Sequence, residues 1–138
     1  MRYLGLDLGN RTCGIAVSDS LGLVATGIET YRFKEQDLAS LLPYIIKVAS
    51  ERSIKDIVLG LPKNMDGTLG FQSEYVLKFK SMLEEQNFNV YLMDERLSTV
   101  QVNKIMIEAD LSRDKRKQQV DKLAAVVILQ SFLDSIKK

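Results

Sequence analysis

The chain has 138 residues, enough for one domain with a sizeable core. Its 19 basic and 18 acidic residues leave a net charge of +1, so a nucleic-acid surface has to come from local patches rather than overall charge. The absence of histidine excludes a histidine general base and most zinc sites, and a single cysteine, Cys13, excludes an internal disulfide.

That cysteine usage suits a reducing cytosol. No apolar run approaches membrane-spanning length, and the N-terminus carries no long signal-like apolar region. Residues 3–8 read as a first strand. Alternation puts Leu4, Leu6 and Leu8 on one face and Tyr3, Gly5 and Asp7 on the other. A carboxylate inside an apolar strand costs desolvation unless a metal ion, an arginine or backbone N–H groups compensate it. Gly9 and Asn10 permit a tight turn, and residues 12–18 form a second strand. There Gly14 and Ala16 share one face, and Ile15 and Val17 the other. Residues 20–22 make a further turn, and residues 23–33 read as a third antiparallel strand.

Asp37 is placed to cap a helix over 38–52, with Pro43 an awkward interior residue. Residues 54–61 form a fourth strand whose unbroken apolar run, Ile57, Val58 and Leu59, suits a buried parallel strand. A glycine-flanked loop follows, with Asn64, Asp66 and Gly67 positioned either to shape a cleft or simply to turn the chain. A second amphipathic helix spans 71–86 through Tyr75, Val76, Phe79, Met82 and Leu83. Residues 90–93 give a fifth strand. Ser98 and Gln101 match a capping box for a helix to about position 109. Residues 112–119 read as a polar loop carrying Arg113, Lys115, Arg116 and Lys117, and a last helix spans 120–136. A three-strand meander followed by α/β crossovers predicts a mixed five-stranded sheet with helices on both faces, its first and fourth strands central.

Three further acids need explaining. Asp94 and Glu95 stand just past the fifth strand. Asp121, in the last helix, shares a face with Ala125, Ile128 and Phe132, an apolar face. The helix dipole accounts for an acid near a helix start, but not for the side on which Asp121 sits. Carboxylates meeting at one end of a sheet repel one another, and a hard divalent cation resolves the repulsion. The competing reading is that Glu95 pairs with Arg96 or a lysine at the surface. Arg11, beside Asp7, is either a phosphate clamp or the partner of Asp19 or Asp7. Lys115, Arg116 and Lys117 either contact phosphates or face solvent.

The stretches DLGNRTCGIAVSD, VLGLPKNMDGTLG, DERLST and VDKLAAVVIL together resemble the four motifs of the YqgF family, also called RuvX. The match covers nearly the whole chain, in order. The resemblance implies a ribonuclease H-like fold and a cytoplasmic bacterial nuclease using Mg²⁺ or Mn²⁺. Its substrate would be precursor 16S ribosomal RNA, cut near its 5′ end, or branched DNA of the Holliday junction type. It would act as a monomer or weak homodimer away from membranes. By motif position, Asp7, Glu95 and Asp121 would be the catalytic acids and metal ligands, with Asp94 close enough to exchange with Glu95. Beside the resemblance, Arg11 and Asn64 are read as substrate contacts, and Arg96 as a substrate contact or as the residue that holds Asp94 or Glu95 in place. One departure is Gln101, where many relatives carry Glu, and the basic residues before Asp121 have no fixed family counterpart. Two rivals stand beside this reading. An ATP-binding phosphotransferase of the actin and sugar-kinase type has a similar DLG loop but needs two such domains. A non-catalytic ribosome-assembly module would have little use for inward acids.

Overall fold

The computed structural model describes residues 2–62, 70–94 and 113–136, the side chains of the last segment from position 122 onward. Five strands, β1 (Tyr3–Leu8), β2 (Thr12–Ser18), β3 (Ala25–Arg32), β4 (Asp56–Leu61) and β5 (Asn89–Asp94), form one sheet in the order β3-β2-β1-β4-β5. β1 pairs antiparallel with β2 and parallel with β4, so the sheet is mixed and β1 sits at its centre. Every residue of β4 is buried, as its unbroken apolar run implies for a strand covered on both faces. The helices are α1 (Leu38–Glu51), α2 (Phe71–Glu85) and α3 (Arg113–Ile136). None of them is long and apolar enough to cross a membrane. The expected helix over 98–109 lies outside the described residues.

The two faces of the sheet are built differently. Leu4, Leu6, Leu8, Cys13, Ile15, Ile57 and Leu59 face α1 and α2, and pack on Leu41, Ile45, Phe79 and Leu83. The opposite face presents Tyr3, Ala16 and Val58 to Ala125, Ile128, Leu129 and Leu133 of α3. A Cβ added at Gly5 would lie 2.7 Å from the Leu129 Cβ and 3.3 Å from the Ala125 carbonyl. Glycine is therefore what lets α3 lie against the central strand, with Ala125 supplying the matching small residue. Gln130 fastens α3 to the sheet edge, accepting from the Ala25 N–H at 2.9 Å and donating to the Leu23 carbonyl at 3.0 Å.

Several boundaries differ from the sequence reading, each for a local reason. β3 starts at Ala25 rather than 23 because the Leu23 and Val24 N–H groups are taken by the Asp19 carboxylate, at 2.7 and 3.1 Å. These two backbone donors hold the Asp19 carboxyl below its usual range. β4 starts at Asp56 because Ile54 N–H still donates to Ala49 of α1, closing the helix through Ser53 at a φ of 56°. Asp37 caps α1 as expected, accepting from the Ser40 N–H, and α1 runs through Pro43.

The larger correction concerns residues 112–119, read as a polar loop. The backbone is helical from Arg113, so Lys115, Arg116 and Lys117 lie in the first two turns of α3. Arginine, lysine and glutamine are good helix formers, and the stretch has no glycine or proline to break it. Its polarity records the lack of an apolar stripe, which a polar helix lacks just as a loop does.

Candidate active site at the carboxyl end of the sheet

Asp7 stands on the last turn of the pleat in β1, half-buried, on the α3 face with Tyr3 and Gly5. Its partner across the antiparallel ladder is Gly14. On the other side the parallel ladder pairs Leu6 with Leu59, and the next residue of β4 is Gly60. Side chains are thus missing on both flanks of Asp7. The carboxylate therefore stands in a notch of the sheet face between two glycines.

The backbone after Asp7 is held from the other face. Gln72 of α2 donates to the Leu8 carbonyl at 3.2 Å, and Tyr75 donates to the Gly9 carbonyl at 3.2 Å. Gly9 N–H closes the turn onto the Thr12 carbonyl at 2.7 Å. Burial pushes the Tyr75 hydroxyl up to about 12, so it stays protonated and donating at neutral pH. The turn is also tied to the segment after β3, through Phe33 N–H to the Arg11 carbonyl and Gln36 N–H to the Asn10 carbonyl, at 2.9 and 2.7 Å. Neither the Gln72 nor the Tyr75 clamp was legible in the sequence, because both act over more than sixty residues of chain.

The other expected site residues divide. Arg11 is exposed and pairs with Glu35 at 3.4 Å, rather than with Asp19 or Asp7. A solvent-exposed pair of this kind contributes at most about 1 kcal/mol and leaves the guanidinium available. Asp94 ends β5, exposed, and has the strand parity of Val90, which packs on the α1 and α2 side. Tyr91 and Met93 have the other parity and pack on the α3 side, Tyr91 against Tyr3 and Phe132. Asp94 is therefore on the face opposite Asp7. Asn64, Glu95 and Arg96 lie outside the described residues. Asp121 belongs to the backbone of α3, one helical turn before Ala125, and its side chain is outside the description, as are those of Lys115, Arg116 and Lys117. Among the described residues, no group of three metal-ligating side chains occurs.

The overall fold resembles those of two solved resolvase–junction complexes. The fold matches the RuvC of Thermus thermophilus in its complex with a Holliday junction substrate, at a TM-score of 0.61 and 14% identity over 98% of this chain and 95% of that one. It matches the fowlpox virus resolvase in complex with junction DNA at a TM-score of 0.63 and 14% identity over the full length of both. The architecture is thus that of the ribonuclease H-like resolvases.

Sequence comparison is more specific. The profile of the RuvX family, described as Holliday junction resolvase, matches residues 1–135, and the chain belongs to that family. Relatives from Clostridium botulinum and Clostridium kluyveri, 53% and 52% identical over the full length of both chains, bear the name "Putative pre-16S rRNA nuclease". The protein is accordingly of the phosphodiester-cleaving nuclease class.

Proposed function

We propose that this protein is a cytoplasmic, single-domain, divalent-metal nuclease that trims the 5′ end of precursor 16S ribosomal RNA. Asp7, Glu95 and Asp121 would be its catalytic acids. The observation that carries the reading is the half-buried Asp7 carboxylate at the end of the central strand, with Gly14 opposite it and α3 over its face. The full-length relatives named for pre-16S rRNA supply the substrate class.

The register of α3 supports Asp121. Tyr3 meets Phe132 at a ring separation of 5.3 Å, and Gly5 meets Leu129 and Ala125. Two strand residues cover about 6.8 Å and one helical turn about 5.4 Å. Moving two residues on to Asp7 therefore moves about one turn toward the start of α3, which is position 121. Asp94 has the strand parity of Val90, on the face opposite Asp7, which weighs against it as the second acid.

A donor set made only of carboxylates, in a chain without histidine, fits Mg²⁺ or Mn²⁺ rather than zinc. A divalent ion bound there would supply an activated water and charge neutralisation at the leaving oxygen. The chain's own contribution is to hold Asp7 rigid through the Gln72 and Tyr75 clamps and to place Arg11 where it can exchange Glu35 for a substrate phosphate. Asn64 and Arg96 would contact or orient the same substrate. Lys115, Arg116 and Lys117 would approach its backbone from the start of α3.

The test is cleavage of 5′-extended 16S precursor RNA and of a four-way DNA junction, with and without Mg²⁺ or Mn²⁺, by wild type, Asp7→Asn and Asp121→Asn. We expect metal-dependent cutting of the RNA, lost in both variants, while both still fold and bind. Faster cutting of the junction would make the protein a branched-DNA resolvase, as its family description reads. Persistent turnover in Asp7→Asn would remove the anchor of the site. Binding without cutting by wild type would favour an assembly module. Sedimentation of the same samples checks the expected monomer or weak homodimer.

A further inference from the structure

Phe71 is 93% exposed, the most exposed of the large apolar side chains among the described residues. It opens α2 directly beside Gln72, which grips the backbone one residue beyond Asp7. It also lines an open hollow of about 410 Å³ with Asn10, Gln36, Gln72, Glu74 and Lys78, floored by the Tyr75 that holds Gly9. That volume lies within the range of small-ligand pockets, roughly 300–1,000 Å³.

The lining identifies what the hollow accepts. One carboxylate, Glu74, and one ammonium, Lys78, cancel, so this is not an anion site. Three side-chain amides, from Asn10, Gln36 and Gln72, offer donors and acceptors together. An aromatic face, mixed amides and a carboxylate complement a nucleobase: the ring stacks, the amides meet its edge, and the carboxylate accepts from an exocyclic amino group. A duplex keeps its bases stacked inside, so the hollow suits a single strand or a splayed end.

We propose that this hollow is a nucleobase pocket, in which Phe71 stacks on an unpaired base flanking the scissile phosphate. The inference deepens the nuclease reading and rests on it only for the word scissile. It gives that enzyme a preference for single-stranded substrate next to the cut. It also gives it a preference for amino-bearing bases over uracil, through Glu74.

The chain has no tryptophan, so Phe71→Trp creates a single fluorescent reporter at the pocket. The probes are a mixed-sequence single-stranded RNA, the same strand with abasic sites, and its duplex, titrated with EDTA present so that nothing is cut. Quenching is expected with the single strand, and little with the abasic strand or the duplex. By anisotropy, Phe71→Ala should bind the single strand about five- to a hundredfold more weakly, the loss of one stacked base, and should bind the abasic strand like wild type. Glu74→Gln should narrow the gap between cytosine-rich and uracil-rich strands. Wild-type affinity in Phe71→Ala, or equal quenching by the abasic strand, overturns the pocket. Cleavage is read separately. An enzyme that stacks a base but never cuts contradicts the nuclease reading alone, and one that cuts with Phe71 irrelevant contradicts the pocket alone.

Discussion

The two faces of the sheet use the same strands for opposite ends. Toward α1 and α2, every inward position of β1 is leucine, and aliphatic side chains meet Phe79 and Leu83 with no charged group among them. Toward α3, the same strand offers Tyr3, Gly5 and Asp7, and the partner strand offers Gly14 and Ala16. The first face buries volume. The second gives up volume so that a helix can lie close and a carboxylate can stand in a notch. The main core and the candidate site are thereby separated across one layer of backbone. The clamps from Gln72 and Tyr75 are where the stable face steadies the chemical one.

If that division is right, the faces answer differently to substitution. Phe79→Ala, in the middle of the stable face, should cost about 3–5 kcal/mol in urea unfolding. Cleavage per folded molecule should stay as in wild type. A loss of kcat equal to that of a site variant would break the comparison.

Gly5→Ala adds one methyl on the α3 face, where it meets Leu129. Overpacking of this kind costs about 1–3 kcal/mol. Because α3 must move away from β1, cleavage should fall by more than the stability loss explains. The readout is a thermal melt combined with kcat at saturating substrate.

Replacing Lys115, Arg116 and Lys117 together with Ala tests the start of α3 as a binding surface. The slope of log K against log salt should become shallower, by up to about 0.7 per lost contact on a single strand. Turnover at saturating RNA should survive. An unchanged slope would assign these residues to solvent alone.

The smallest effect belongs to Tyr75→Phe. The Tyr75 hydroxyl is pushed up to about 12 from an unfolded value near 10, so folding favours its neutral form. Its contribution is complete below pH 10 and is lost as pH rises toward 12. In Tyr75→Phe that part of the alkaline loss should vanish. Tyr44, raised to about 12 chiefly by its hydrogen bond to Glu29, still titrates there. At pH 7 the variant should be weaker by about 0.5–1.5 kcal/mol, for the bond to the Gly9 carbonyl. Unfolding curves from pH 7 to 12 distinguish the two.

Much of this was legible in the chain itself, because strand alternation and helix periodicity are local properties. The division of β1 into Leu4, Leu6, Leu8 and Tyr3, Gly5, Asp7, the burial of β4, the Asp37 cap and the inward side of Ala125 and Ile128 all follow from residues within one or two turns of each other. The suspicion attached to Asp7 is of the same kind, since an acid in an apolar strand is visible without a fold. Tertiary structure alone decided which partners these residues meet. Pairing of β1 with β2 and with β4 put glycines on both sides of Asp7, and β5 took a register that turned Asp94 away. Arg11 met Glu35 and not Asp19, because the seven-residue strand β2 puts Arg11 and Asp19 at opposite ends of the sheet. The basic run joined α3 because nothing in it stops a helix. Phe71 was left bare because it lies off the buried stripe of α2, which is formed by Ser73, Val76, Phe79 and Leu83. Local pattern sets which way a side chain points. Only the long-range pairing of strands sets what it finds there.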